Sequence, residues 1–545
     1  MAGLEVYLSL NSLLVKPEYA QRDLSSLLKP GSMFNEYDLS EEHELDAEGK
    51  LFVKTPVANE PKWRSFAESV VGEELTGLQN ISNSAVLLIK SNGKVVAFTF
   101  GYGRFLLDLT CFVPDFGIKT ALNTLDHSSL RSVDVLTLDD QAVQKKSQSS
   151  KEAGVDIFGI DVSRDILRAV TGSAKDGVEL NRITGGDAIY SFSLSISVSE
   201  LPSLIDTLYG YYNNESYKNE FSWVDNIRRV KNDGEISSLN ESMLDNVKLK
   251  NSVIKITMPE IINWDLVHGF SYTRAKTQVN PTIETEDYFD TINATSITIE
   301  SIKSDKLFVF YLDGSVKEYS IYKCLYYEFV SGDKTYVMFS GVWYEINNKF
   351  ILDIDANLSR IPISSLSFPD VHVWTDRINE KDILKIESEG HYNSRVSTGS
   401  NFYLLDKNLV KTSKSTSSIE LCDLMTIDRK FVHVKHRKGG SSGLSHLFAQ
   451  GYVSAELTLS DRDFRKEARK KLKPISSSLR DTIPIDGYKS SGVEIVFLVL
   501  GEDSASLISN LPLFSKVNLS KVYDNLIHRG FDVSVAGAAK LDISQ

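Results

Sequence analysis

The sequence predicts an α+β, multidomain protein with a mixed α/β N-terminal region, a β-rich middle and a C-terminal α/β domain. Three observations lead there. At 545 residues the chain exceeds what one ordinary core accommodates. From about residue 251, β-branched and aromatic runs alternate with turn dipeptides. From about residue 376 the elements read in the order α, β, β, β, α, β, α, β. The expected domains are therefore 1–250, a recognition or regulatory domain, 251–375, a β-rich module, and 376–545, which carries the chemistry.

Composition narrows the class. Hydrophobic residues make up 42% and charged residues 24%, as in globular proteins. No apolar run approaches the length of a membrane span. The opening MAGLEVYLSL has neither a basic segment nor a small-residue cleavage site, so a cytoplasmic protein without membrane association is expected. Cys111, Cys324 and Cys422 are isolated from one another, which argues against a disulfide framework or a cysteine-rich zinc site. The formal net charge of −13 speaks against general coating of nucleic acid. Between Asp406 and Arg480, however, 16 Lys and Arg face 8 Asp and Glu, so polyanion binding is expected in that segment.

In the first region, Val86–Lys90 and Lys94–Phe100 flank Ser-Asn-Gly and predict a β-hairpin. Gly101-Tyr-Gly-Arg104 and the stretch 115–123 form a Gly-rich connection that lacks the lysine and spacing of a P-loop, so loop geometry is favoured over phosphate binding. A nucleotide-modifying or transferase site using Arg104 and Asp108 is the third-ranked functional reading. Residues 158–168 predict a helix whose Asp161, Arg164 and Arg168 form a solvated face. Leu201–Val230 predicts one or two helices, with aromatics from Tyr209 to Trp223 assigned to core in preference to base stacking.

In the middle region, Leu307–Tyr311, Lys317–Tyr327, Thr335–Trp343 and Lys349–Ile354 are separated by Asp-Gly, Gly-Asp and Asn-Asn, the pattern of an antiparallel meander. In the last region, Ile383–Val396 predicts a helix interrupted at Gly390. Phe402–Val410 predicts a strand or a hairpin turning at Asp406-Lys-Asn408. Ile419–Met425 and Lys430–His436 predict two strands, followed by a helix from about Ser442. Val493–Leu500 is a continuous apolar run, as in a strand covered on both faces. Asn518–Arg529 predicts a helix and Phe531–Ala536 a final strand.

Chemistry concentrates in Ile419–Gln450. Asp423 ends one strand, while His433 and Lys435 lie two apart on the next and so share a face. Two strands that bring a carboxylate and a lysine together suggest metal-dependent phosphodiester chemistry. His436, Arg437 and Lys438 lead into Gly-Gly-Ser-Ser442, a basic loop suited to a phosphate backbone. On the following helix, Leu444, Leu447 and Phe448 form an apolar face, with His446 and Gln450 on a polar stripe beside it.

This order and these residues resemble the PD-(D/E)xK nuclease core, which would make the last domain restriction-endonuclease-like. The resemblance implies Mg2+ or Mn2+ as cofactor and DNA, or in second place RNA, as substrate. It gives Asp423 the part of the metal-binding aspartate and Lys435 that of the catalytic lysine. Glu389, with Glu387 as substitute, stands for the acid of the first helix, and Gln450 for the polar position of the helix after the lysine. Arg437, Lys438, Ser442 and His446 would contact nucleic acid. The departure is His433, where the family carries a second acid. Imidazole suits Mn2+ or Zn2+ better than Mg2+. Glu420, Asp406 or Glu389 then completes the oxygen shell, or the site is weak or lost.

The stretches FTFGYGRFLLD, DFGIKTALN, FGIDVSRDILRAVTG, IELCDLMTIDRKFVHVKH, SSGLSHLFAQG and LPLFSKVNL also resemble a large bacterial family of sporadically distributed, uncharacterised proteins. Patchy distribution implies horizontal transfer and a place in anti-phage defence loci. The expectation is an antiviral nuclease, its nearest rival a non-catalytic protein that binds nucleic acid or a protein partner through a degenerate nuclease fold.

Overall fold

The computed structural model describes residues 6–544 except 32, 41–44, 46, 57, 62, 138–142, 261, 263, 275–278, 379–380, 399–400, 412–417 and 438–441. The chain is mixed α and β and forms two compact units: Met1–Thr137 with Gln144–Asp225, and Leu138–Val143 with Asn226–Gln545.

The first unit is built on a ten-stranded sheet in which Val6–Leu14 pairs antiparallel to both Lys94–Gly101 and Ile189–Ile196. The hairpin around Ser-Asn-Gly pairs Ser84–Ser91 with Lys94–Gly101. Helices Phe116–Thr124 and Leu201–Asn213 bury Phe116, Ala121, Leu204 and Leu208 against Phe98 and Phe192 of the sheet. The Gly-rich connection is a packing device. A Cβ at Gly103 would lie 2.0 Å from the Ala85 carbonyl oxygen, so only glycine allows that approach. The helix expected over 158–168 is instead a short 3-10 turn, Val155–Phe158, followed by the strand Asp165–Ala174. The Asp165 carboxylate accepts the Asp161 N–H at 2.8 Å and the Thr137 hydroxyl at 2.5 Å, which closes a tight turn where a helix would have to continue.

The second unit begins with a five-stranded antiparallel sheet containing Leu325–Ser331, Lys334–Phe339 and Val342–Ile346 and a three-stranded sheet of Val267–Ser271, Lys306–Tyr311 and Val316–Ser320. Lys317–Tyr327, expected as one strand, is broken by the helical turn Ile321–Cys324. Lys349–Ile354, also expected as a strand, lies inside the helix Asn348–Leu358. Asn347 caps that helix by accepting the Lys349 N–H at 2.9 Å, and Ile354 and Leu358, four apart, are its buried side.

The C-terminal core comprises α1 (Glu389–Ser397), β1 (Tyr403–Leu404), β2 (Leu424–Met425), β3 (Lys430–His436), α2 (Ser442–Ser460), β4 (Glu494–Leu500), α3 (Leu513–His528) and β5 (Asp532–Ala538). The sheet runs in the order β1 to β5, with the first two pairings antiparallel and the last two parallel. A parallel β3–β4 pair requires a long crossover, and the chain through α2 supplies it. Residues alternate across β3. Val432 and Val434 pack with Tyr392 and Val396 of α1, whereas His433 meets Gly451 of α2. β4 is buried on both faces, as its continuous apolar run requires.

The helix expected over Ile383–Val396 resolves into two elements, the strand Lys381–Ile386 and α1. Ser388 separates them by capping α1 through the His391 N–H at 3.3 Å. Gly390 falls in the first turn and does not break the helix. All three cysteines are buried and free.

Candidate active site

The site is assembled by the backbone of Asp423. Its N–H donates to the Val432 carbonyl at 3.0 Å, joining it to β3. Its own carbonyl accepts the N–H groups of Leu405 at 2.8 Å and Asp406 at 3.0 Å, which draws the turn after β1 alongside. The side chain faces back to β3, where Oδ2 accepts the Val434 N–H at 2.8 Å. The Lys407 N–H donates to the Glu420 carboxylate, tying that acid to the same turn.

Three carboxylates converge as a result. One oxygen from each of Asp406, Glu420 and Asp423 lies within 4.8 Å of the others. Burial pushes the Asp423 carboxyl up to about 7, opposed by the Val434 N–H and reinforced by the charges of Glu420, Asp406 and Glu389. Glu420 is raised for the same first reason, with Asp406 adding to it and the Lys407 N–H working against it. The set is hard, all-oxygen and crowded with like charge, and a divalent cation with oxygen preference fits it. Asp406, reached from the sequence only as one way to complete the shell, is a full member of the cluster.

Beside the carboxylates is a pocket of about 700 Å³ lined by residues of α1, the 406–407 turn and the end of β3, among them Glu389, Lys407 and Lys435. The Lys435 ammonium donates to Glu389 Oε2 at 3.1 Å, and the His436 N–H donates to Glu389 Oε1 at 3.1 Å. Both oxygens of Glu389 are thereby oriented, and this residue stands outside the trio of mutually close ligand atoms. Glu387 is elsewhere: it accepts a two-pronged Arg395 contact at 2.8 and 2.7 Å and the His372 N–H at 3.1 Å. Arg395 is the main influence lowering its carboxyl, against burial.

His433 does not join the carboxylates. Its ring is buried, 6.3 Å from that of Phe497, and its Nε2 has no hydrogen-bond partner. Burial drives its pKa down to about 4, so the imidazole is neutral. Lys435 shares the face, but two residues nearer the strand end its long side chain escapes to the pocket.

The expected nucleic-acid contacts are dispersed. Gln450 and exposed His446 sit on α2 and neither lines the pocket. Ser442 opens α2, and Lys438 lies outside the described residues. Arg437 is engaged by Glu502 and by the Asn510 carbonyl at 2.7 Å. Much of the basic segment is likewise occupied internally. Arg465 donates to the carbonyls of Thr458, Leu459 and Ile485, each at 2.9 Å. Arg469 caps the carbonyls of Arg480 at 2.9 Å and Ile483 at 2.8 Å, and Lys430 pairs with Glu494 at 2.8 Å.

In the first unit, Arg164 pairs with Asp161 at 2.9 Å and Arg168 with Asp187 at 2.8 Å. Asp108 accepts the Thr110 N–H at 3.0 Å to cap a 3-10 turn, and the Arg104 guanidinium lies 4.6 Å from the Phe105 ring centroid.

The sequence matches the model of a family of unknown function, DUF6119, over residues 10–539. The chain belongs to that family. No curated protein matches it, and no solved structure does. Membership covers both units, so the DUF6119 sequence pattern includes the ten-stranded sheet as well as the core that carries the carboxylates. Among the described residues no helix is long and apolar enough to cross a membrane.

Proposed function

We propose that this protein is a metal-dependent, PD-(D/E)xK-like nuclease that cleaves phosphodiester bonds in DNA, with RNA the less favoured substrate. The observation that carries the reading is the approach of Asp406, Glu420 and Asp423 to within 4.8 Å beside the Lys435–Glu389 pair. The order α, β, β, β, α, β and the antiparallel-then-parallel pairing agree with it.

Asp406, Glu420 and Asp423 would hold Mg2+ or Mn2+. When bound, such an ion polarises the scissile phosphate and acidifies a water molecule. Asp423 would be held ionised by such an ion. The Lys435 ammonium balances charge on the attacked phosphate, and Glu389 is a positioning residue that fixes the direction of that ammonium. The first unit would recognise the target or a protein trigger and restrain cleavage. The patchy distribution that the family resemblance implies supports a part in anti-phage defence, in the cytoplasm.

The test is cleavage of plasmid DNA by purified protein with Mg2+ or Mn2+. Lys435→Ala is expected to abolish cleavage with the fold intact, and unchanged cleavage by that variant sinks the assignment. One observation favours a second reading, a non-catalytic nucleic-acid- or protein-binding protein with a degenerate nuclease fold. The third-strand acid is replaced by His433, which is buried against Phe497. That reading predicts salt-sensitive binding with no products at any metal concentration.

A further inference from the structure

The pocket contains a cation that the proposed chemistry leaves unassigned. Lys407 lines it opposite no acid of its own: among the described residues its ammonium makes no ion pair, whereas Lys435 is paired with Glu389 at 3.1 Å. The base of Lys407 is fixed, with φ at 64° and its N–H donating to the Glu420 carboxylate. Gly390 of α1 lies next to this ammonium. A Cβ there would lie 3.3 Å from Asp406 Oδ2 and 3.9 Å from Lys407 Nζ. The volume, about 700 Å³, is that of a small-molecule site, wide enough for a phosphate with its attached sugar.

We propose that Lys407 anchors a phosphate subsite, taking a phosphate group of a polynucleotide strand next to the one attacked at the carboxylates. This rests on the nuclease reading. The pocket wall carries both signs: the acids call for a cation, and Lys407, whose ammonium has no ion pair among the described residues, calls for an anion. A strand with successive phosphates satisfies both at once. A lysine suits this task because a compact ammonium reads phosphate charge without demanding one orientation.

The experiment measures binding of a short fluorescein-labelled DNA duplex to the full chain by anisotropy, with Ca2+ replacing Mg2+, across a salt series. Lys407→Asn is chosen because Asn tolerates a left-handed backbone. Its affinity is expected to fall several-fold for every sequence, with the slope of log affinity against log salt reduced by about 1. Lys407→Arg should restore both. Lys407→Gly, which also accepts the left-handed backbone, should weaken binding in the same way and covers the case in which Lys407→Asn does not fold. Unchanged affinity and slope in a folded Lys407→Asn protein overturn the subsite. Inorganic phosphate and a nucleoside monophosphate serve as competitors. If either binds in a Lys407-dependent way while duplex affinity is indifferent to Lys407, the strand assignment is overturned. Wild-type cleavage with Mg2+ or Mn2+ is scored separately. Lys407-dependent binding without cleavage defeats the nuclease reading and keeps the subsite, and cleavage with Lys407-independent binding does the reverse.

Discussion

Lys435 Nζ lies 3.1 Å from Glu389 Oε2, and this contact ties the end of β3 to the first turn of α1. Both side chains are about 30% exposed, so as a pair they contribute less than about 1 kcal/mol to stability. The contact matters for direction more than for strength. Glu389→Gln should leave the melting temperature within a few degrees of wild type while cutting cleavage by at least about tenfold. Cleavage kinetics beside a thermal melt check this, and wild-type rates in the variant would refute a positioning part for Glu389.

Asp423 makes stability depend on pH in an unusual sense. Its carboxyl titrates near 7 when folded and near 4 when unfolded. Between those values the folded state holds the extra proton, so stability falls as pH rises from about 4 to 7 and stays low above. Asp423→Asn should remove that slope and be more stable than wild type above pH 7, on the order of 2 kcal/mol. Added Mn2+ should raise the wild-type melting temperature and leave Asp423→Asn unmoved. Melts over a pH series, with and without metal, measure both.

His433 produces the opposite slope over nearly the same window, so the two contributions oppose one another and the single variants separate them. The unfolded imidazole takes up a proton below about 6.5, the folded one only near 4, so stability falls as pH drops through that window. His433→Leu should abolish that dependence and retain cleavage, since the ring contributes no atom to the carboxylate trio and its Nε2 is unpartnered. Loss of cleavage in a well-folded His433→Leu protein would restore the histidine to the site.

Gly451 tests the packing of α2 on the sheet. An exposed helical Gly→Ala change stabilises by up to about 1 kcal/mol. Here a Cβ would lie 2.5 Å from Phe497 Cε1 and 3.2 Å from His433 Cδ2, so Gly451→Ala should instead destabilise by about 1–3 kcal/mol. A denaturant midpoint shift in the stabilising direction would contradict the close approach.

Much of the C-terminal core is legible in the sequence because its signals are local. β3 coincides with Lys430–His436, and α2 starts at Ser442 as expected. β4 follows from a run of apolar residues that needs cover on both faces. The carboxylate trio is less legible. Asp406 reaches Asp423 through two hydrogen bonds to one carbonyl, a contact between chain segments that no spacing encodes. Glu389 lies on a helix, as the sequence suggests, but Ile383–Ile386, expected in that same helix, belong to a strand, because the Ser388 cap starts a new element. Asn347 likewise caps a helix where the alternation of Lys349–Ile354 suggests a strand. The surplus of Lys and Arg was legible as a count but not as a surface, since Arg465 and Arg469 face backbone carbonyls.

Asp423 has a double attachment: its carbonyl holds the 405–406 turn while its carboxylate takes the Val434 N–H. A one-residue slip of this segment would both misalign the strands and scatter the acids. The convergence of the acids and the threading of the sheet thus hang on one residue, and neither can be shifted without the other.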